Sequence, residues 1–100
     1  MNKYGLHGKL KATPGNGQKL AEILLEASRL VSTAKGFGMY MVSLDAADQD
    51  AVVITEVWDS KEDHDNSLKS DKVKALIGQA MPILAEMPTG GMVLEVLNFE

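Results

Sequence analysis

Residues 51–68 read AVVITEVWDSKEDHDNSL, and the change of period within this stretch decides the architecture. Its first eight residues are apolar on both sides of a two-residue repeat: Val52 and Ile54 point one way, Val53 and Val57 the other. That is a strand. Glu56 and Trp58, two positions apart, share one of its faces. Ser60 and Asp63 then give the S-x-x-D form of a capping box, in which side-chain oxygens satisfy the free backbone donors of a helix start. A helix therefore begins near residue 60. The junction carries a carboxylate, the chain's only tryptophan and a histidine, His64, within a few residues of one another.

Upstream, FGMYMVSL (37–44) is a second strand, and the polar run DAADQD (45–50) is a loop joining it to the strand at 51–58 as a hairpin. Residues 4–12, YGLHGKLKA, alternate as the first strand, with Leu6, Gly8, Leu10 and Ala12 on one face and His7, Lys9 and Lys11 on the other. TPGNG ends it, and Asn16 is placed to cap a helix over 17–35 in which Leu20, Ile23, Leu24, Ala27, Leu30 and Val31 recur at helical spacing. Gly36 stops that helix. Downstream, Ser70 and Asp71 interrupt the helix that starts near 60. The stripe resumes through Val73, Leu76, Ile77, Ala80, Met81 and Leu84, with Pro82 bending or ending it. MPTGG turns the chain into a last strand, MVLEVLNF, at 92–99.

Strand, helix, strand, strand, helix, strand is the order of a ferredoxin-like α+β sandwich, a four-stranded antiparallel sheet with two helices on one face. One hundred residues form one domain, 1–100, since a second useful core could not be built from the remainder. Two helices cover only one sheet face, yet the strands are apolar on both. Burial of apolar surface contributes about 25 cal/mol per Å², so a second copy is expected to cover the other face. The expectation is a homodimer with sheets face to face, closing toward a barrel; the alternative is a monomer with an apolar open face.

The totals exclude several function classes. Ten basic residues are scattered and the net charge is −4, so nucleic acid is not an expected partner. No stretch is long and apolar enough for a membrane span, and MNKYGLHGKLKA has no continuous apolar run of a secretory signal, so the cytoplasm is the expected location. Zero cysteines exclude disulfides, thiolate nucleophiles and cysteine-ligated metals, and two histidines, His7 and His64, are too few for a metal site on their own. TPGNGQK lacks the spacing of a phosphate-cradling loop. Neither metal nor organic cofactor is expected.

Among candidate site residues, His64 carries an imidazole that could take a proton from a phenol near neutral pH, or face solvent in the polar turn EDHDN. Glu56, if it lies under the helices, must be paired, protonated or catalytic. Trp58 reads as core or cleft wall, able to stack on a flat ring. Tyr40 could steer a ligand through its hydroxyl or cap the core. Met39 and Met41, with Met81, Met87 and Met92, fall on elements that would border a cleft, where thioethers adapt to flat apolar ligands, although core filling is their commoner role. Ser67 lies one turn beyond His64 on the same helical face. His7 is expected at the subunit interface.

Thr13-Pro14-Gly15 after the first strand, Gly36-x-x-x-Tyr40 opening the second and Glu56-x-Trp58 ending the third resemble the antibiotic biosynthesis monooxygenase family, small domains of the dimeric α+β barrel fold. The resemblance implies a cofactor-independent oxygenase joining molecular oxygen to a small aromatic or quinol-type substrate, with His64 as base, Glu56 or Tyr40 as its partner, and Trp58, Ser67, Met39 and Met41 around the substrate. Family members also include haem-degrading enzymes and isomerases of a phosphorylated autoinducer. The haem-degrading members' Asn, Trp and His would fall near Gly8, Ser67 and Ile77, and none is present. Many relatives carry a histidine at Ser67, and often another near Lys72; this chain has neither. A non-catalytic small-molecule binder or stress-related dimer, and a small-metabolite isomerase, stand as the alternatives.

Overall fold

The computed structural model describes residues 2–88 and 91–99. The chain folds in the order β1 (Lys3–Lys11), α1 (Gly17–Val31), β2 (Phe37–Asp45), β3 (Asp48–Trp58), α2 (Lys61–Ser67), α3 (Asp71–Ala80), a 3-10 turn (Met81–Ile83) and β4 (Met92–Val96). The strands form one antiparallel sheet in the order β2-β3-β1-β4. This is the ferredoxin-like α+β arrangement, with the second helix split in two. The C-terminal strand ends at Val96, three residues short of the expected limit, and residues 97–99 lie outside it.

The helices lie on one face because their apolar stripes meet one set of strand residues. Leu20, Ala21 and Ile23 of α1 and Ala80 of α3 pack on Val52 and Ile54, with Ala12 completing the cluster. Val31 and Val73 pack on Trp58, which is wholly buried, with Phe37 edge-on to the indole at 5.6 Å.

Local polar chemistry sets the element ends, and in two places it differs from the expectation. The run 45–50 is not a loop. Only Ala46 and Ala47 turn, because the Asp45 carboxylate accepts from the Ala47 amide at 2.8 Å and that of Asp48 from the Asp50 amide at 3.0 Å. Lys9 and Lys11 of β1 pair with Asp45 and Asp48 and hold these acidic ends in the sheet. The helix expected over 17–35 ends at Val31, where the chain tightens into successive three-residue turns (Ala34 N to Val31 O, Phe37 N to Ala34 O) before Gly36, at φ 79°, reverses it.

Asn16 precedes α1 as expected but makes no side-chain cap, bonding Thr13 instead. Asp50 of β3 takes that role, its two oxygens accepting from the amides of Gly15 at 3.2 Å and Gly17 at 3.0 Å. Gly17 permits this approach, since a Cβ there would lie 1.9 Å from the Gln49 carbonyl oxygen. Ser60 does cap α2, accepting from the Asp63 amide at 3.1 Å, and Ser70 caps α3 after the break.

The other sheet face carries Met39, Met41, Val53, Val57, Met92 and Leu94 in register. In the single chain Val57 is buried, but much of the face is uncovered, with Met41 51% and Met92 60% exposed. His7 sits on this face, its Nδ1 3.0 Å from the Thr55 hydroxyl opposite.

Candidate active site

The site is built on the helix-covered face at the middle of the sheet. Pairing sets Tyr40 of β2, Glu56 of β3 and Leu6 of β1 side by side in one row. Above that row the two helix layers do not close. Ala27, Ser67 and Ala80, all small, line a hollow of about 230 Å³ that larger residues would fill. Leu68, Ile77 and Met81 line it too and are 41–45% exposed, so its rim is apolar and reaches the surface. Its only polar side chains among the described residues are those of Tyr40, Glu56 and Ser67.

Glu56 is held on one side and free on the other. The Trp58 indole Nε1 donates to its Oε1 at 3.0 Å, and His64 Nε2 stands 3.9 Å from the same oxygen. Oε2 makes no hydrogen bond among the described residues, and neither does the Tyr40 hydroxyl. Glu56 and Tyr40, on neighbouring strands, thus bring to the hollow an acceptor and a donor that have no partner among the described residues.

Burial pushes the Glu56 carboxyl above the ordinary glutamate range, a shift that the Trp58 hydrogen bond and the nearby His64 imidazole partly oppose. Burial also pushes the Tyr40 phenol up, and the Glu56 charge adds to this, so Tyr40 stays protonated as a donor. His64 is held from behind. A carboxylate can only accept, so Asp65 Oδ1, at 2.9 Å from Nδ1, fixes a proton there and leaves Nε2 as the nitrogen facing Glu56. Both side chains of this pair are 13% exposed, sheltered without being sealed.

The sequence candidates therefore separate. Tyr40, Glu56 and Ser67 are brought together at the hollow, although the Ser67 hydroxyl is engaged by the His64 carbonyl at 2.6 Å. His64 is next to Glu56 but does not line the hollow; the start of α2 packs its ring against Tyr4 and Trp58, at 5.7 and 6.1 Å between centroids. Trp58 is core, not wall: with no exposed surface it reaches the site only through its N–H. Met39 and Met41 flank Tyr40 and, by strand alternation, point to the opposite face, so they do not line the hollow. Of the methionines proposed for a cleft, only Met81 borders it.

The lining also includes Leu10, Leu24, Leu76 and Pro88. Periodicity marks the three leucines as inward-facing, and nothing in the pattern tells a wall from a filled core. Pro88 carries no signal.

Residues 4–79 match the antibiotic biosynthesis monooxygenase family. No curated protein matches the chain. Solved structures that resemble it include a candidate antibiotic biosynthesis monooxygenase from Chloroflexus aurantiacus, 37% identical at a TM-score of 0.86, over 98% of this chain and 96% of that one. Candidate family members from Nitrosomonas europaea (13% identical, TM-score 0.88, covering 95% and 90%) and Caulobacter crescentus (17%, 0.86, 97% and 92%) share the fold. A match over three quarters of the sequence and a relative above one-third identity along nearly the whole of both chains lead to one conclusion: this chain belongs to the antibiotic biosynthesis monooxygenase family.

Proposed function

We propose that the chain is a monooxygenase that oxidises a small electron-rich aromatic, of the phenol, quinol or anthrone type, with molecular oxygen and no bound cofactor. The observation that carries this reading is a carboxylate oxygen with no partner among the described residues, on a glutamate whose burial makes it a better base, beside a phenol equally without one, in an apolar hollow. Glu56 takes the acidic proton of the bound ring system, and Tyr40 donates to the resulting oxyanion. His64, held by Asp65, steadies the Glu56 charge. This reverses the roles assigned from sequence, where the imidazole was the base.

The anion supplies what oxygen needs, since a closed-shell neutral molecule reacts sluggishly with it while an electron-rich anion gives up an electron. For an anthrone-type substrate, recombination at the ring methylene forms a carbon–oxygen bond and a peroxide. Loss of water then leaves a carbonyl. One oxygen atom ends in the product and the other in water, and the electrons come from the two C–H bonds of the methylene. Glu56 returns its proton to the peroxide, then takes the second methylene proton as the O–O bond breaks, and that proton joins the departing hydroxide to complete the water. Water-poor walls limit side reactions of the anion.

The proposal includes a second copy on the uncovered sheet face, where apolar side chains otherwise meet water. The test is oxygen uptake with a panel of phenols, quinols and anthrones. Uptake matched to product formation, and product carrying label from ¹⁸O₂, is expected. Turnover that proceeds equally fast without oxygen would rule the reading out, and ligand binding with no turnover would favour a non-catalytic binder.

A further inference from the structure

A second compartment, of about 170 Å³, adjoins the hollow. The two share Leu10, Leu24, Tyr40, Glu56 and Pro88, so the carboxylate and the phenol stand at their junction. One residue opens the floor of the second compartment. Along the helix-covered face of β1, the positions Tyr4, Leu6 and Leu10 all carry large side chains, whereas Gly8, opposite Ile54, carries none.

The backbone angle does not demand a glycine there. Gly8 is not among the residues with positive φ, so its backbone suits any strand residue. Among the described residues, a Cβ at Gly8 would meet the Gly91 backbone, at 3.2 Å from Cα and 3.7 Å from N, a tight contact that asks Gly91 to give by a few tenths of an ångström. At Gly17 the corresponding distance is 1.9 Å, and at Gly38 it is 2.6 Å. A glycine inside a strand weakens it, and such a position commonly marks the close approach of a ligand or another backbone. Here it clears the space between Leu6, Ile54 and Gly91 beside Glu56.

We infer that Gly8 sets the length of ligand the site accepts: the compartment above it takes a flat, uncharged apolar extension of a ligand whose ionisable group sits at Glu56 and Tyr40. This rests on the reading of the hollow as a substrate site. Leu6, Leu10, Leu24 and Ile54 offer the extension only apolar contact, and the Glu56 charge at the junction disfavours an anionic one. Lys9 borders the compartment, but its ammonium is bound to Asp45 at 2.9 Å on the sheet's other face, so it supplies no cation for a phosphate.

The test uses two fluorescent phenols that differ by one fused ring, β-naphthol and β-anthrol, titrated into the native chain and into Gly8→Val. Valine suits a strand and intrudes on the compartment. The longer phenol should lose about tenfold or more in affinity while the shorter one changes by no more than about twofold. Equal losses for both, no loss for either, or no saturable binding by the native chain would overturn the inference. Should Gly8→Val fail to fold, the native protein still decides it: bound β-anthrol should show nuclear Overhauser contacts from its ring to the α-protons of Gly8 and Gly91, and a bound probe without them sinks the assignment. Both readouts are of binding. Failure to consume oxygen removes the proposed reaction and leaves this result standing, whereas a probe held away from Gly8 removes the subsite and leaves the chemistry at Glu56 in place.

Discussion

The Trp58 indole Nε1 donates to Oε1 of Glu56 at 3.0 Å, tying a wholly buried ring to the one carboxylate that lines the hollow among the described residues. The strand alternation that puts both residues on one face makes the bond possible, since only i and i+2 side chains meet this way. Trp58→Phe removes the donor and some buried volume. It should cost about 1–3 kcal/mol in urea denaturation and raise the Glu56 titration midpoint, read by carboxyl ¹³C NMR, because a hydrogen bond to the charged form is lost. A midpoint that stays put would show that the indole does not tune this carboxylate.

Glu56→Gln isolates the charge. The folded-state pKa of Glu56 is raised, chiefly by burial. Below the ordinary glutamate value both folded and unfolded chains hold the proton, and folding carries no penalty from it. As pH rises through the window between the ordinary and the raised value, the unfolded chain ionises first and the native protein loses stability. Glutamine has no charge to bury and can still accept from the indole. Its melting temperature should gain on that of the native chain as pH climbs through the window; parallel curves would mean that the carboxylate is not penalised by burial.

Asp50→Ala should cost more stability than Asn16→Ala. Asp50 accepts from two backbone amides at the start of α1, while the Asn16 side chain reaches only Thr13. Loss of the Asp50 cap should cost about 1–2 kcal/mol, and Asn16→Ala about half a kcal/mol or less. Chemical denaturation giving the opposite order would refute this account of the helix start.

That pair of residues also shows what one chain of letters reveals. Periodicity marks the strands, the helices and the break at Ser70 because each is a repeat between near neighbours, and the Ser60 cap is equally local. The Asp50 cap joins residues more than thirty positions apart, so local spacing points to Asn16 instead. The site follows the same division. Glu56 and Trp58 on one face are readable at a separation of two. That Tyr40 stands opposite Glu56 depends on hairpin register, which the acidic run 45–50 obscures by reading as a loop when lysines from β1 hold its ends in the sheet. Whether His64 faces the hollow or the indole depends on how α2 leaves β3, a tertiary angle that no periodicity encodes.

A charge placed on the uncovered sheet face should dissociate the proposed homodimer. Sedimentation of the native chain at micromolar concentration should give twice the 10.8 kDa protomer mass. Met41→Asp should shift it toward one, because a two-fold interface repeats each substitution and buries two unpaired carboxylates. The weakening should be about a hundredfold or more in dissociation constant. A native chain that sediments as a protomer would show that this face stays open.

Comparison of His64→Gln with Glu56→Gln decides which group takes the proton. With Glu56 as base, removing it should lower turnover by about a hundredfold to ten-thousandfold. Removing His64, which touches Glu56 only through charge at 3.9 Å, should lower turnover by about tenfold or less. The pH dependence carries the sharper sign. The imidazole lowers the Glu56 pKa, so its loss raises that pKa and moves the rising limb of the pH–rate profile to higher pH. If His64 were the base, its loss would remove the rising limb altogether and cost more than the loss of Glu56. Oxygen uptake across pH with one anthrone, measured for the native chain and both variants, separates these outcomes, and a profile unmoved in His64→Gln would show that the imidazole does not act on the Glu56 carboxylate.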